Sequence, residues 1–580
     1  MISGKYFGVL ILMFVASEGL AISELPFRSF VKTHDRVTIN TDVSKGIKSF
    51  SAWGNFPSPE TDIRKIIMHL TLGHPDTMAI AHWDYLDFIY LRRTGGVSGE
   101  VRDIEIGRMI TPYGSSFKDD WSFAWEVDVT DFSILLRDSV EIDYMHSGYE
   151  PENLGWALTV EFEILHGPPV ANPVSVTEIY SGSFPYGHPD DPIENHLKPF
   201  NFEFDESADF GRIRIQHTGH GADRPRLCSE FCSRWREVLF NNVMIDRRDL
   251  WKECGSNPLY PQGGTWIHDR GHWCPGDLQE PDIIDIDAGP GINTIEVLME
   301  PYIAEDNIQA REVIGAYLFQ YEKPNPKHDV AIERVIVPGN KDMFSRKNPA
   351  SFNPVIEFRN LGSEPLRKVT IIYGTKGFET RNYTWEGFLN HNGIERLVLP
   401  GEIDFERGLN TFEVSLLRPN GRTDDWPYDN TITSGFHAPK EMPLTFLVQY
   451  KTNNKPEDNH IFLIDSSRDT IYQRLPAQCE PNEVYTDTLR LSPGKFEFFL
   501  YPRRTTGDID LDAFLPFDSK LQVKFLKDGE VIAPHEYKSF RQGTIKFDIG
   551  HLEPGRYILE IYVDDKLAHR DRINRDSNRQ

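Results

Sequence analysis

Cysteine is absent from the first 227 residues of this 580-residue chain and occurs only five times in all, so no disulfide within that N-terminal part can staple it. Basic side chains are scarce too, with 62 Lys and Arg against 88 Asp and Glu and a net charge of −26. No basic stripe interrupts the acidic excess, and phosphates would be repelled, so nucleic acid is excluded as a partner. Beyond the N-terminus no run approaches the ~18 apolar residues of a membrane span, and no span is expected in the mature chain. Helical periodicity is nearly missing; only Ser229–Leu239 and Asp246–Lys252 admit a helical turn or two. What is abundant is punctuation and flat apolar surface. Aromatics make up 12%, and there are 43 Gly and 39 Pro, a mixture suited to short strands with frequent turns. An apolar fraction of 39% fits several small cores, and the length predicts about three to five domains.

The N-terminus carries Lys5, an apolar run from Tyr6 to Val15, and the small-residue ending Gly19-Leu20-Ala21. That layout predicts a secretory signal peptide over residues 1–21, hence export to the medium, the periplasm or the cell surface. Cys228, Cys232, Cys254 and Cys274 fall within 47 residues. In an exported chain two disulfides are expected, and four cysteines leave three pairings open. The rival is a four-thiolate zinc site, because Cys228 and Cys232 have a metal-like gap. Structural zinc, however, favours two-residue spacings and reduced compartments. Cys479 is left over and is expected to be buried and inert.

Strand-like segments include Arg64–Leu72, Phe88–Arg92, Ala157–Leu165 and Asn293–Met299. Proline-rich punctuation at 166–173, 321–327 and 438–443 divides the chain into blocks at 26–166, 172–322, 328–438 and 443–575. In the third block Asn353–Gly362, Lys368–Tyr373 and Gly408–Leu416 alternate as strands do. It resembles the adhesion-type immunoglobulin-like modules of exported bacterial proteins. The last block reads as another β-sandwich. Neither shows a clustered catalytic set, so both read as accessory modules.

Chemistry concentrates between Gly219 and Gly276. Glu230 sits inside a small cysteine-closed loop, which would fix where its carboxylate points. Arg270 lies four residues before Cys274 and could be brought close by a second cross-link. Phe231, Trp235, Trp266 and Trp273 supply flat apolar faces of the kind that stack on sugar rings. In the first block Trp83-Asp84-Tyr85 heads a strand. An Asp among bulky aromatics is open to desolvation, which raises its pKa toward usefulness as a general base. The bland alternatives are a disulfide-stapled structural loop and a solvent-facing Asp at a strand end.

In order, Gly219-His220, C-x-E-x-C at 228–232, Cys254-Gly-Ser-Asn-Pro258 and Asp269-Arg-Gly-His-Trp-Cys-Pro-Gly276 resemble the second domain of the peptide-N-glycosidase F family, secreted bacterial amidases. Trp83-Asp84, Ile106–Tyr113 and Glu126–Phe132 resemble that family's first domain in the same order. The likeness covers about residues 26–322. It implies two adjacent eight-stranded antiparallel jelly rolls with the site between them, and with the two β-sandwich modules read above the whole chain is expected to be all-β. It also implies hydrolysis of the amide joining asparagine to the innermost N-acetylglucosamine of N-linked glycoproteins or glycopeptides. By position Asp84 matches the principal catalytic aspartate, Glu230 the glutamate of the cysteine loop, and Arg270 the substrate-binding arginine. Trp83, Phe231 and Trp273 are placed with the substrate. No metal or other cofactor is implied, and a monomer is expected.

The sequence departs from the family in places. A third acidic residue near the end of the first domain is replaced by Met145, with Asp143 two residues earlier and on the same strand face as a candidate substitute. The first-domain disulfide is missing, Phe231 stands where a tryptophan usually follows the loop glutamate, and Thr218 where one precedes the Gly-His pair. Two readings compete with the amidase. One is a non-catalytic glycoprotein-binding protein on the same fold. The other is a copper monooxygenase using His217 and His220, for which two histidines at i and i+3 of a strand are a poor ligand set.

Overall fold

The computed structural model of the protein describes residues 27–574 except 94–101, 224–225, 255–256, 260–261, 267, 306–308, 349–351, 442–444, 452–458, 482, 503–520, 528–529, 538–542, 550–555 and 564–565. The signal peptide expected over 1–21 lies outside the described residues. Among the described residues strands dominate, and no helix is long and apolar enough to cross a membrane.

The first unit contains β1 (Arg28–Ile39), β2 (Ile47–Asn55), β3 (Ile63–Gly73), β4 (Ala79–Ile80), β5 (Leu86–Arg93), β6 (Arg102–Ile110), β7 (Ser122–Asp128), β8 (Ser139–Ser147) and β9 (Leu154–His166). The second contains β10 (Pro173–Pro185), β11 (Phe200–Glu203), β12 (Phe210–His220), β13 (Arg234–Phe240), β14 (Val243–Leu250), β15 (Asp277–Leu278), β16 (Asp282–Asp287), β17 (Ile292–Met299) and β18 (Arg311–Tyr321). In the first unit, sheets ordered β1-β9-β3-β7 and β15-β6-β5-β8-β2 share one core. In the second, the orders are β10-β18-β12-β16 and β11-β17-β13-β14. The long strands pair antiparallel.

Period-two patterning accounts for the layers. On β7, Phe123, Trp125 and Val127 point inward between more open neighbours, and on β17 Ile295, Val297 and Met299 do the same. Each such side chain contributes about 1.5–3 kcal/mol when fully buried. Ser229–Leu239 and Asp246–Lys252, where the sequence admitted helical turns, instead supply most of the β13–β14 hairpin over 234–250. Its two-residue turn, Asn241-Asn242, has φ of 51° and 64°, which a type I′ hairpin turn requires and which asparagine tolerates.

The two units are joined by buried contacts. Tyr317, Phe319 and Tyr321 of β18 pack into the first unit's core. Asp131 accepts from Arg212 and Arg214 at 3.0 Å and from the Tyr321 hydroxyl at 2.7 Å. Burial alone would raise the Asp131 carboxyl, but the two arginines bring it down to about 2. Arg108 of β6, fully buried, reaches Thr218 Oγ1 at 2.8 Å and the Val313 carbonyl at 2.7 Å. β15 completes the seam by pairing with β6 of the other unit.

The third block has β19 (Val330–Val337), β20 (Val355–Asn360), β21 (Leu366–Thr375), β22 (Arg381–Leu389), β23 (Ile394–Val398), β24 (Leu409–Leu417) and β25 (Thr431–His437) in sheets ordered β19-β20-β23 and β22-β21-β24-β25. These enclose a core of their own. The block docks on the first unit through Arg64, which reaches Asp329 at 2.6 Å and Asp429 at 3.2 Å and lies over the Trp426 ring. Arg334–Glu280 and Asn392–Asp285 tie it to the second unit at 3.0 and 2.9 Å. The described strands from Lys440 to Asn574 form sheets of five, two and four strands. Cys479, expected to be buried, is partly exposed after the short turn Pro476–Gln478.

Candidate active site

Asp84 lies between β4 and β5, and one threonine pins the backbone on both sides of it. Thr111 Oγ1 donates to the Trp83 carbonyl at 2.7 Å and accepts from the Tyr85 N–H at 2.8 Å. Glu150 takes the His82 N–H at 3.0 Å. Trp83 and Asp84 are therefore presented by a fixed turn, with the indole half-exposed and packed edge-on against Tyr113.

Glu230 comes from the second unit. Its carrier is the ring closed by the Cys228–Cys232 disulfide, and the second bridge joins Cys254 to Cys274. The ring presses onto two glycines. A Cβ at Gly219 would come within 2.7 Å of the Ser229 carbonyl oxygen, and one at Gly271 within 2.6 Å. No other residue leaves that space. The Gly271 N–H donates to the Glu230 carbonyl at 2.7 Å, and the Gly221 N–H reaches Glu230 Oε2 at 3.2 Å. The Gly-His pair and the Asp-Arg-Gly run are thus the bed of the ring.

Arg270 joins the two halves. Its Nη2 donates to Asp84 Oδ2 at 3.2 Å, and its Nε to Glu230 Oε1 at 3.4 Å. Nη1 is held by the His268 carbonyl at 2.7 Å. Nη2 also lies 3.2 Å from Thr265 Oγ1. The guanidinium, 1% exposed, sits beside the rings of Trp273 and Phe231 at 4.9 and 5.3 Å. Its main chain bridges to Lys252. Asp269, beside it, accepts from the Cys254 N–H at 3.0 Å, so the second disulfide anchors this stretch.

The electrostatics follow from crowding. Burial raises the Asp84 carboxyl above its ordinary range, against the pull of Arg270 and a Tyr113 hydrogen bond. Burial likewise pushes Glu230 up to about 7, Arg270 opposing and the neighbouring Asp84 charge adding to it. Two carboxyls facing one cation share less than the charge both would need. Glu230, arranged this way, titrates near neutral pH and can accept or return a proton.

The sequence-derived set is brought together in part. Asp84, Glu230, Arg270, Trp83 and Phe231 surround one locus. Trp273 does not offer the open face expected of it. It is 2% exposed, stacks on His220 and Arg270, and donates Nε1–H to the Gly219 carbonyl at 2.7 Å. Asp143 is engaged elsewhere, with Ser49 at 2.9 Å, Ser51 at 2.7 Å and Arg92 at 2.8 Å. Met145 pairs with Ser49 and Phe88 across the sheet. His217 is bound to Glu312 at 3.0 Å, whereas His220 stacks on Trp273. Tyr113, Thr111 and Thr265 escaped the sequence reading as individual residues. The only available signal was that Thr111 and Tyr113 close the Ile106–Tyr113 motif.

Residues 190–326 match the family described as Peptide-N-glycosidase F, C terminal. The chain resembles the peptide-N-glycosidase F family. Among solved structures, PNGase F, titled a glycosylasparaginase from Flavobacterium meningosepticum, is 24% identical, covering 51% of this chain and 96% of that one with a TM-score of 0.44. Recombinant peptide: N-glycanase F (PNGase F) gives 23%, 51%, 96% and 0.44. PNGF-II gives 14%, 52%, 66% and 0.41. No curated protein matches. The peptide-N-glycosidase F match takes in Glu230, Arg270 and both disulfides; Asp84 lies outside it.

Proposed function

We propose that this protein is an exported amidase that hydrolyses the bond between asparagine and the innermost N-acetylglucosamine of N-linked glycoproteins or glycopeptides. The observation that carries the reading is Arg270 hydrogen-bonded at once to Asp84 of the first unit and Glu230 of the second. Its other support is the family match over the half of the site that includes Glu230 and Arg270. On this reading the two sandwiches are the family's eight-stranded jelly rolls, at 26–166 and 172–322. The immunoglobulin-like module at 328–438 and the C-terminal module at 443–575 are accessory.

Asp84 takes a proton from water, directly or through one solvent molecule, as that water attacks the side-chain amide carbon. Glu230 and Arg270 hold the first two sugars and steady the charge developing on the amide oxygen. The C–N bond breaks with the proton returned to nitrogen. The products are aspartate in the peptide and a glycosylamine, which then loses ammonia in water. Trp83, half-exposed beside Asp84, supplies an apolar face to the substrate.

Asp84→Asn separates the amidase from a glycoprotein-binding protein on the same fold. Removing a general base costs about 10²–10⁴-fold in turnover, and a defined N-glycopeptide should still bind. Binding without turnover in both the native protein and the variant would contradict the amidase reading.

A further inference from the structure

Beneath the cysteine ring lies a buried carboxyl that the proposed reaction does not use. Glu312 of β18 is 2% exposed and stands directly across from Gly219 of β12 in the sheet register. It accepts a hydrogen bond from Ser229 Oγ, the residue immediately before Glu230 in the ring, and its Oε2 lies 3.0 Å from His217 Nε2. Ser229 Oγ also lies 3.2 Å from the Arg311 carbonyl.

We propose that Glu312 is a positioning residue that acts through Ser229 to hold the 228–232 ring, and with it the Glu230 carboxyl, against Arg270. Arg236, His272, Arg108 and His220 face His217, and burial together with these neighbours keeps the imidazole neutral. A neutral imidazole offers one ring nitrogen as acceptor. Protonated, Glu312 donates its O–H to His217 Nε2 and accepts the Ser229 O–H on its other oxygen; ionised, it accepts from Ser229 and from the Nε2–H tautomer of His217. Burial pushes Glu312 up to about 8, with the Ser229 hydrogen bond and the Arg234 charge opposing. Of the groups around it, Ser229 and His217 touch it, Arg234 acts on it by charge, and Tyr186 senses its charge. Above that pH a full negative charge stands in a dry site, which burial disfavours and which weakens the folded arrangement around it.

The effect on turnover rests on the amidase reading, whereas the effect on the ring does not. The test compares the native protein, Glu312→Gln and Glu312→Ala from pH 6 to 10 by amide hydrogen exchange of the 228–232 and 271 segment, and by turnover of a defined N-glycopeptide. In the native protein the ring should lose protection as pH rises through about 8, beyond the ordinary base dependence of exchange. Glutamine supplies a donor and an acceptor in the same places without titrating, so Glu312→Gln should stay protected and lose that alkaline step. Glu312→Ala should exchange faster at every pH and turn over about 10- to 100-fold more slowly in kcat, with KM changed less. Native-like protection in Glu312→Ala, or the same alkaline step in Glu312→Gln, would overturn the proposal. Should the alanine chain fail to fold, the Glu312→Gln comparison decides alone. Ring behaviour as expected with no turnover by the native protein would sink the amidase reading and leave this one standing.

Discussion

Arg270 Nη2 and Asp84 Oδ2 lie 3.2 Å apart although 186 residues separate them in the chain. One belongs to a segment anchored by a disulfide in the second sandwich, the other to a turn of the first. The contact therefore reports the relative placement of the two sandwiches, and anything that moves one against the other changes the charge balance at the cleft.

Arg270→Lys should show how much of that balance depends on a planar cation. The guanidinium divides its donors among Asp84, Glu230, Thr265 and the His268 carbonyl, and an ammonium on a flexible stem cannot reach them together. Breaking a buried pair on one side costs about 3–5 kcal/mol, and loss toward that scale should appear in chemical denaturation. Turnover should fall with it. Native stability and native turnover in the variant would show that the fork is dispensable.

The Glu230 carboxyl should leave a signature in stability against pH. Its folded pKa, about 7, is raised from an ordinary 4.5, so the folded chain holds a proton that the unfolded chain releases. The stability tied to this proton is complete below about 4.5 and lost as pH rises through about 7. The slope reaches at most about 1.4 kcal/mol per pH unit in between. Glu230→Gln should remove that slope, and subtracting the two denaturation curves cancels the titrations that Glu230 does not influence, leaving that of Glu230 together with its coupled neighbour Asp84. Parallel curves would place Glu230 in a more open setting than the structure shows.

The Cys254–Cys274 bridge should matter beyond general stability. Losing a native disulfide typically costs about 2–5 kcal/mol, and here it also frees the Asp269–Cys254 contact that fixes the neighbour of Arg270. Cys254→Ser with Cys274→Ser should lower the melting temperature and raise KM together. A lower melting temperature with unchanged kinetic constants would confine the bridge to a structural role.

Arg64 should couple the third block to the first sandwich. It is 3% exposed and paired with Asp329 and Asp429 over Trp426. Burial pushes these two carboxyls up to about 6 and about 8 from 3.8, against the opposing Arg64 charge. The contribution of their protons is complete near the ordinary value and lost as pH rises through those two. Arg64→Ala should therefore separate calorimetric unfolding into independent steps, and the native protein should move the same way at pH 9. A single unchanged transition in the variant would show that other contacts carry the docking.

Much of this was legible because strands announce themselves locally. Ile295, Val297 and Met299 alternate within the expected strand Asn293–Met299, and the cysteine ring with its glutamate is contiguous. What stayed hidden depends on neighbours distant in sequence. Ser229–Leu239 and Asp246–Lys252 admitted helical turns when read locally, whereas the left-handed pair Asn241-Asn242 between them closes a hairpin. Trp273 looks like an open sugar platform until Arg270 and His220 cover its faces. Glu312 carries no motif at all; its meaning comes from lying across the sheet from Gly219. Asp143 shares the face of Met145 by strand parity, yet Ser49, Ser51 and Arg92 occupy its oxygens.

The most direct measurement is to incubate the protein with a defined N-glycopeptide in ¹⁸O-enriched water and weigh the peptide product. Amide hydrolysis at Asp84 and Glu230 predicts a sugar-free peptide whose former asparagine is aspartate carrying one ¹⁸O, with ammonia released. A peptide that keeps one N-acetylglucosamine, or an unchanged glycopeptide that remains bound to the protein, would contradict it.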